Sequence, residues 1–220
     1  MTLAFLTPTG APPESPLARV AARDGATLGL GDGWLVPVRF TTEEIESRAC
    51  REAVGWADAS ALGKLELRGP LDARPGIAAR KDGAWWCPIA RNCTLVIASP
   101  DRDAPIRARL AGSALDVTTQ FGGLVLAGPA ARETIARFCA LDLRPKVTPP
   151  GGFRPGSVAR TPGYVLCEAP DRYLLLFGAA LAQYIWTVVS DAGGRLGGQP
   201  VASDVLPALD PLLEEAAQHA

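Results

Sequence analysis

Two stretches of this chain repeat one pattern of glycine, leucine and proline at a constant offset of 59 residues, from Gly63 to Gly122. The matching positions are Gly63, Leu65, Leu67, Gly69 and Pro70 in the first stretch and Gly122, Leu124, Leu126, Gly128 and Pro129 in the second. An acid-x-hydroxyl triplet precedes each stretch, at Asp58-Ala-Ser60 and Asp116-Val-Thr118, with a slip of one residue. Apolar alternation that ends at Gly-Pro predicts a strand, a turn and the start of a helix. The pattern indicates either a duplicated strand–turn–helix unit or a chance likeness of two strands that end in Gly-Pro.

The remaining segments alternate between strand and helix patterns. The predicted strands are two short ones around a turn in 27–40, then 93–98, 157–167 and 172–177. The predicted helices are 41–54, 103–110, 129–138, 179–190 and a bent one over 204–218, and 147–155 is a predicted loop. This order predicts an α+β fold built as a ferredoxin-like double unit. The predicted organisation is a loose arm over 1–16, a main domain over 17–197 with repeats near 58–76 and 116–138, and a helical tail over 198–220.

The charge balance argues against several classes of partner. Lysine and arginine total 22 and aspartate and glutamate total 23, which gives a net charge of −1. This balance provides no basic surface for nucleic acid or an anionic membrane. The longest apolar segment, 174–189, is shorter than the about 20 residues that a membrane span needs. We therefore expect a soluble, cytoplasmic protein without a nucleic-acid or membrane partner.

The only histidine is His219, next to the end of the sequence. A Ser-His-Asp triad or a His-rich zinc site needs an imidazole that is held in place, and a terminal residue is poorly placed for that. The five cysteines form no CxxC pair, so we expect reduced, buried thiols and no metal site. The chemistry that remains would rely on carboxylates, lysine, cysteine or a bound cofactor.

Two sets of motifs resemble one known superfamily. In the N-terminal half these are Ser15-Pro-Leu, Gly33-Trp34, Pro37-Val38 and the run from Arg51 to Pro70, in which Asp58-x-Ser60-x-x-Gly63-Lys64 is the most specific part. In the C-terminal half they are Asp116-Val-Thr, Leu126-Ala-Gly-Pro-Ala-Ala-Arg-Glu, Cys139-Ala-Leu-Asp-Leu-Arg-Pro145, Pro150-Gly and Tyr184-Ile-Trp186. The first set resembles the folate-binding T-protein (aminomethyltransferase) superfamily. The second set, like the length of the sequence, resembles the gamma subunit of heterotetrameric sarcosine oxidase.

The resemblance implies a fold and a cofactor. The implied fold is two fused ferredoxin-like lobes around a central site, without the extra C-terminal barrel domain of a full T-protein. The implied cofactor is tetrahydrofolate, which accepts a one-carbon unit from an aminomethyl or N-methyl donor. The implied partners are that folate or donor molecule and, for a gamma-like subunit, the subunits of a flavin oxidoreductase in a hetero-oligomer.

The resemblance also implies site residues, with one departure. The catalytic aspartate of the family falls on Trp86 or Cys87, and neither is an acid, so the catalytic residue is left unknown. Arg160-Thr-Pro-Gly-Tyr164 resembles the segment that leads to the pterin-binding acid, and Glu168 follows Tyr164 by four residues instead of three. The predicted cofactor-binding residues are therefore Glu168, Tyr164, Arg160 and Trp86. Glu168 as a solvated turn acid is the alternative.

Other candidates have both a functional and a structural interpretation. Adjacent Trp85 and Trp86 point to opposite faces of a strand, so at most one can stack on a ligand, and core packing is the alternative. Lys64 is either a cation for a glutamate tail or a solvated residue at a strand edge. Asp58 and Asp116 either cap turns or contact a ligand. Cys87 as a nucleophile has no histidine to activate it.

Three functional hypotheses follow, and they leave open whether the chain is an enzyme. In the first, it is a tetrahydrofolate-binding protein of one-carbon metabolism, T-protein-like or an accessory subunit like sarcosine oxidase gamma. In the second, it is a stand-alone enzyme that transfers methyl or aminomethyl groups in the same pocket, with Glu168 as the anchor. In the third, the fold is repurposed for another small ligand, because a fold does not fix a function.

Overall fold

The computed structural model describes residues 10–69 and 74–207. In these residues the helices are α1 (Ala18–Arg23), α2 (Glu43–Glu52), α3 (Pro100–Leu110), α4 (Ala131–Ala136) and α5 (Ala182–Gly194), with 3-10 turns at Thr118–Gln120, Ala179–Leu181 and Ser203–Val205. The strands are β1 (Thr27–Gly31), β2 (Trp34–Arg39), β3 (Gly55–Asp58), β4 (Gly63–Arg68), β5 (Ala79–Lys81), β6 (Ala84–Ala90), β7 (Cys93–Ala98), β8 (Ala114–Asp116), β9 (Phe121–Ala127), β10 (Phe153–Val158), β11 (Thr161–Ala169), β12 (Arg172–Gly178) and β13 (Gln199–Pro200). The predicted mixture of helices and sheets is confirmed.

The strands form two large sheets and one separate hairpin. The six-stranded sheet has the order β10-β11-β12-β9-β3-β13, and the five-stranded sheet has the order β5-β6-β7-β4-β8. All their pairs are antiparallel except β13 with β3. The hairpin β1-β2 turns at Asp32-Gly33, where both residues have positive φ, as the tightest hairpin turns require.

The two large sheets pack face to face, and helices cover their outer faces. Trp85, Cys87, Leu95 and Ile97 of the five-stranded sheet meet Val125, Phe153, Leu166, Leu174 and Leu176 of the six-stranded sheet in one buried cluster. The outer face of the six-stranded sheet packs on α1, α4 and α5, with Trp186 and Ile135 fully buried. The outer face of the five-stranded sheet packs on α3 through Ile106. Within the described residues, the core therefore consists of one cluster between the sheets, one on each outer face and a small fourth cluster at Cys50, Ala57 and Val201.

The two repeated stretches occupy equivalent positions in different sheets. β4, from the first stretch, lies between β7 and β8, and β9, from the second, lies between β12 and β3. The short strand before each one crosses to the other sheet, so that β3 pairs with β9 and β8 pairs with β4. Each stretch therefore completes the sheet of the other.

Several predicted elements end at different residues. The predicted single strand 157–167 is wrong, because Ala159 and Arg160 adopt positive φ and divide it into β10 and β11. The predicted loop 147–155 is wrong at its end, where β10 begins at Phe153. The structure confirms the two strands around a turn in 27–40, the helix near 41–54 and the strands 93–98 and 172–177.

Parts of some predictions lie outside the described residues. These parts are Pro70, the arm before residue 10, the tail after residue 207 and His219. In the described part of the arm, Glu14 forms a bridge with Leu35 and Ser15 is buried. The tail begins inside the six-stranded sheet, because Gln199-Pro200 forms β13. No helix in residues 10–69 and 74–207 is long and apolar enough to cross a membrane.

Candidate functional site

A cavity of about 270 Å³ is bounded by residues of both large sheets. The six-stranded sheet contributes Asp58, Val125, Glu168 and Arg172, and the five-stranded sheet contributes Trp85, Ile97 and Ala98. The tip of the β1-β2 hairpin, the loop 59–62 and the segment 203–206 complete the wall. The cavity combines apolar side chains with five charged residues, a mixture that suits a small-molecule ligand.

Glu168 is the most buried acid of this cavity, with only 5 % of its surface exposed. Its Oε1 accepts a hydrogen bond of 3.1 Å from Nε1 of Trp85, and its Oε2 accepts one of 2.9 Å from Nε of Arg172. The Trp85 bond joins β11 of one sheet to β6 of the other. Because a carboxylate has about four acceptor positions, Glu168 keeps free acceptor capacity after these two bonds.

Arg172 fixes Glu168 and the C-terminal segment together. Besides the bond to Glu168, its Nη1 donates a bond of 2.7 Å to the backbone oxygen of Pro207. Its Nη2 has no partner within residues 10–69 and 74–207, although the side chain is only 13 % exposed. The guanidinium of Arg80 lies 5.8 Å from the ring centre of Trp85, on the same cavity. The cavity therefore contains two cationic groups beside one buried acid.

Asp58 lies at the end of β3 and also lines the cavity. Its Oδ1 accepts a bond of 2.8 Å from the backbone N–H of Ser60, and its Oδ2 accepts a bond from the hydroxyl of Ser15. Burial raises the pKa of this carboxyl, against the opposing effect of the hydrogen bonds from Ser15 and Ser60 and the charge of Lys64. Asp58 is therefore held in place by neutral donors and not by an ion pair.

Lys64 is fully buried behind the loop that carries Ala61 and Leu62. Its Nζ donates to the backbone oxygen of Ser60 at 2.8 Å and to that of Leu62 at 2.9 Å. Burial lowers the pKa of this amine to about 8, although Asp58 and two other aspartates act in the opposite direction. The ammonium group thus holds the 60–62 loop, which forms part of the cavity wall.

The second acid-x-hydroxyl triplet forms the same turn away from the cavity. Oδ1 of Asp116 accepts from the N–H of Thr118 at 2.9 Å, as Asp58 does from Ser60. The two hydroxyls then bond across the repeats: Ser60 Oγ accepts from the N–H of Gly123, and Thr118 Oγ1 accepts from the N–H of Lys64. Gly123 and Lys64 are again 59 positions apart. The two turns therefore fix the two strands β4 and β9 in the same way.

The structure separates the four predicted cofactor-binding residues. Glu168 lines the cavity. Tyr164 lies four residues earlier on the same strand and stacks on Phe153, with ring centres 5.2 Å apart. Arg160 is exposed in the β10-β11 turn. Trp86 is on the outer face, where the guanidinium of Arg109 lies 5.8 Å from its ring centre. As cofactor-binding residues, Glu168, Tyr164, Arg160 and Trp86 stay predictions.

The positions that resemble those of the family's catalytic aspartate contain no acid that faces the cavity. Trp85 lines the cavity and Trp86 faces away from it, as strand alternation requires. Cys87 is fully buried, and burial raises the pKa of its thiol well above the ordinary value. A neutral, inaccessible thiol is a poor nucleophile. Within residues 10–69 and 74–207, no group of three or more His, Cys, Asp or Glu side chains is suited to hold a metal ion.

Sequence reasoning did not identify Arg172 as part of the site. A local signal for it exists: Pro170-Asp171 marks a turn, and Ala169 pairs with Arg172 across it. A glutamate and an arginine on either side of such a turn can reach each other, as Glu168 and Arg172 do. No local signal indicated that Asp58 would line a cavity, because the wall of that cavity comes from segments that are distant in sequence.

The chain is similar in sequence to curated aminomethyltransferases. It is 26 % identical over 226 residues to the aminomethyltransferase of Saccharopolyspora erythraea, an alignment that covers 86 % of this chain and 60 % of that protein. It is 39 % identical over 57 residues to the aminomethyltransferase of Symbiobacterium thermophilum, which covers 26 % of this chain and 15 % of that protein. The chain thus spans about 60 % of the length of the first relative. No protein-family model matches it.

Solved structures share the fold at lower sequence identity. One is a chain of heterotetrameric sarcosine oxidase from Corynebacterium sp. U-96, in complex with pyrrole 2-carboxylate, with a TM-score of 0.63 and 19 % identity over 86 % of this chain and 98 % of that one. Another is glycine cleavage system aminomethyltransferase T from Bartonella henselae, with a TM-score of 0.68 and 16 % identity over 93 % of this chain and 62 % of that one. The resemblance to the T-protein superfamily that the motifs predicted is confirmed.

Proposed function

We propose that this chain, which resembles the aminomethyltransferases, binds tetrahydrofolate in the cavity between its two large sheets and takes part in one-carbon metabolism. The observation that carries the proposal is the buried Glu168 carboxylate, held between Trp85 and Arg172 on a cavity with apolar walls. The similarity to aminomethyltransferases supports it. So does the fold shared with a chain of sarcosine oxidase.

The residues of the cavity suit the head group of a reduced folate. A pterin ring is flat and offers a row of N–H donors, which a carboxylate with free acceptor positions can receive. Glu168 would accept these donors while Leu62, Ile97 and Val125 contact the faces of the ring. The volume of about 270 Å³ is close to the lower end, about 300 Å³, of ordinary ligand pockets, so it suits a ring system more than a complete folate molecule. Arg80, on the wall of the cavity, would contribute positive charge near the glutamate tail.

Tetrahydrofolate, when bound, supplies the nitrogen atoms that carry a one-carbon unit. This chain would bind and orient the ring, but the resemblance places the family's catalytic aspartate on Trp86 or Cys87, and neither is an acid. We therefore propose an accessory role, like that of the sarcosine oxidase gamma subunit, in a cytoplasmic hetero-oligomer with flavin oxidoreductase subunits. The finer architecture belongs to the same proposal: two related ferredoxin-like lobes over 17–197, without the extra barrel of a full T-protein.

Binding is tested by titrating the purified full chain with tetrahydrofolate under anaerobic conditions and following tryptophan fluorescence. We expect a saturable change that Trp85→Phe abolishes and Trp86→Phe preserves, because only Trp85 lines the cavity. Glu168→Gln should weaken binding by about 10-fold to 100-fold, the usual loss for a charged hydrogen bond. Absence of binding at millimolar ligand would remove the folate proposal and favour a pocket repurposed for another ligand.

The accessory role and the enzymatic alternative differ in turnover. The folate-loaded chain alone is incubated with sarcosine or dimethylglycine, and transfer of the intact methyl group to the folate, with release of glycine or sarcosine, is measured. We expect binding without turnover, because no acid stands at positions 86 and 87. Turnover that Glu168→Gln abolishes would replace the accessory role with the stand-alone transferase.

A further inference from the structure

The two repeated turns differ in what meets the second oxygen of each aspartate. Oδ2 of Asp116 accepts a bond of 2.6 Å from Nη1 of Arg107, so its charge is neutralised on the protein surface. Oδ2 of Asp58 accepts from the neutral hydroxyl of Ser15 and, within the described residues, bonds to no basic side chain. The structural work of the turn is the same in both, since each aspartate caps the N–H two residues later. The turn therefore forms equally well when its aspartate is paired with a cation, as Asp116 is, and it does not explain why Asp58 has no such partner.

No basic side chain within residues 10–69 and 74–207 forms an ion pair with Asp58. Lys64 is close enough to influence it electrostatically, but its Nζ donates to the carbonyls of Ser60 and Leu62 instead. An enclosed carboxylate without a directly bonded cation is costly in free energy. A cation supplied by a ligand would lower that cost.

Among the described charged groups that line the cavity, Asp58 is the partly enclosed one whose negative charge is not paired with a neighbouring arginine. Glu168 and Arg172 form an ion pair with each other at 2.9 Å. Arg80 contributes a positive charge beside Trp85. Asp32 is exposed in the hairpin turn, where water screens its charge. A ligand group next to Asp58 thus meets a carboxylate that receives hydrogen bonds from Ser15 and Ser60 and forms no salt bridge within the described residues.

We propose that Asp58 binds the ammonium group of an amine ligand whose apolar part lies against Leu62, Ile97 and Val125. These are the walls proposed above for the pterin ring, so the amine ligand and the folate head group would exclude each other. The inference concerns the cavity of the proposed function but does not depend on folate binding, since it rests on the charges and walls of the cavity alone. Asp58 is then a binding residue in addition to its role in the turn. Asp116 has only the role in the turn.

The test compares two probes of the same shape and different charge, benzylammonium and benzyl alcohol, by isothermal titration calorimetry on the full chain without folate at about pH 8. We expect the wild-type protein to bind benzylammonium about 10-fold more tightly than the alcohol, as a charge-assisted hydrogen bond implies. Asp58→Asn should remove this preference while preserving the bond from the Ser60 N–H. The matched control Asp116→Asn should retain the preference in full.

Each outcome decides the inference. A wild-type protein that binds the two probes equally, or binds neither, overturns it whether or not the Asp58 variant folds. A preference that survives in Asp58→Asn, with an unchanged far-ultraviolet circular dichroism spectrum, also overturns it. A preference lost in Asp32→Asn but kept in Asp58→Asn would assign the ammonium site to the hairpin. Because no folate is present, a failed folate titration leaves these results intact.

Discussion

The turn at 58–60 and the turn at 116–118 have the same local chemistry and different surroundings. In both, an aspartate caps a backbone N–H, and a hydroxyl accepts from the strand of the other repeat. The first turn lies against the cavity and meets the neutral Ser15, whereas the second faces the exterior and meets Arg107. The comparison teaches that the tertiary surroundings, and not the turn itself, decide whether the aspartate of such a turn forms an ion pair.

The largest expected effect concerns Lys64, which is buried in the first repeat. The equivalent position in the second repeat is Gly123, which has no side chain to titrate. Burial depresses the pKa of Lys64 to about 8 in the folded protein, below the ordinary value of 10.5. Because the unfolded protein binds this proton more tightly, the free energy of unfolding is highest above pH 10.5, where the amine is neutral in both states. It decreases as the pH falls from 10.5 to about 8. From this shift, the free energy of unfolding of the wild type should change, relative to that of Lys64→Met, by about 3 kcal/mol across that interval.

This prediction is checked by urea unfolding of both proteins at a series of pH values. The difference between the two removes titrations that they share, such as those of Cys50 and Cys167, whose pKa values burial raises to about 11. Lys146→Met, at an exposed position, is the control and should give a flat difference. A flat difference for Lys64→Met as well would mean that the folded protein does not perturb this amine.

A smaller effect distinguishes the partners of the two aspartates. Arg107 bonds to Asp103 at 2.5 Å, to Asp116 and to Thr118. Oδ1 of Asp103 is buried and has no hydrogen-bond partner within residues 10–69 and 74–207. Arg107→Met should therefore lower the free energy of unfolding by about 2 kcal/mol, and Ser15→Ala by about 1 kcal/mol, since the second change removes one neutral donor. Equal losses in urea unfolding would contradict the proposed difference between the turns.

The smallest expected effect tests the equivalence of the turns themselves. Ser60→Ala and Thr118→Val each remove the acceptor of one strand N–H, on Gly123 and on Lys64 respectively. Each change should cost about 1 kcal/mol, with Thr118→Val slightly more costly because Thr118 also receives a bond from Arg107. Urea unfolding at neutral pH measures both. A loss for only one of them would show that the two turns do not support their strands equally.

Local sequence patterns predicted most strands and helices, and the errors have identifiable causes. The β1-β2 turn was predictable because Asp32-Gly33 provides residues that tolerate positive φ. The β10-β11 turn was missed because Ala159 and Arg160 adopt positive φ without glycine or asparagine, the usual signals. Surrounding contacts hold that turn: Ala159 is buried, and the hydroxyl of Thr161 bonds to the oxygen of Val158.

The candidate site was predictable only in part. Glu168 was singled out from its spacing after Tyr164, and the structure places it on the cavity. The strand alternation that separates Trp85 from Trp86 was also correct, but the alternation does not say which of the two faces the interior. That choice depends on the register of β6 against β7 and on the packing of the second sheet.

By itself, the sequence determined the two repeated stretches, their turns and the alternation of their strands, because these features depend on neighbouring residues. Only the tertiary structure decided that β3 joins β9 and β8 joins β4, and that Asp58 thereby faces a cavity while Asp116 meets Arg107. Pairing between distant strands is set by the burial of both sheet faces at once. No local pattern encodes that condition, and the different environments of two similar turns follow from it.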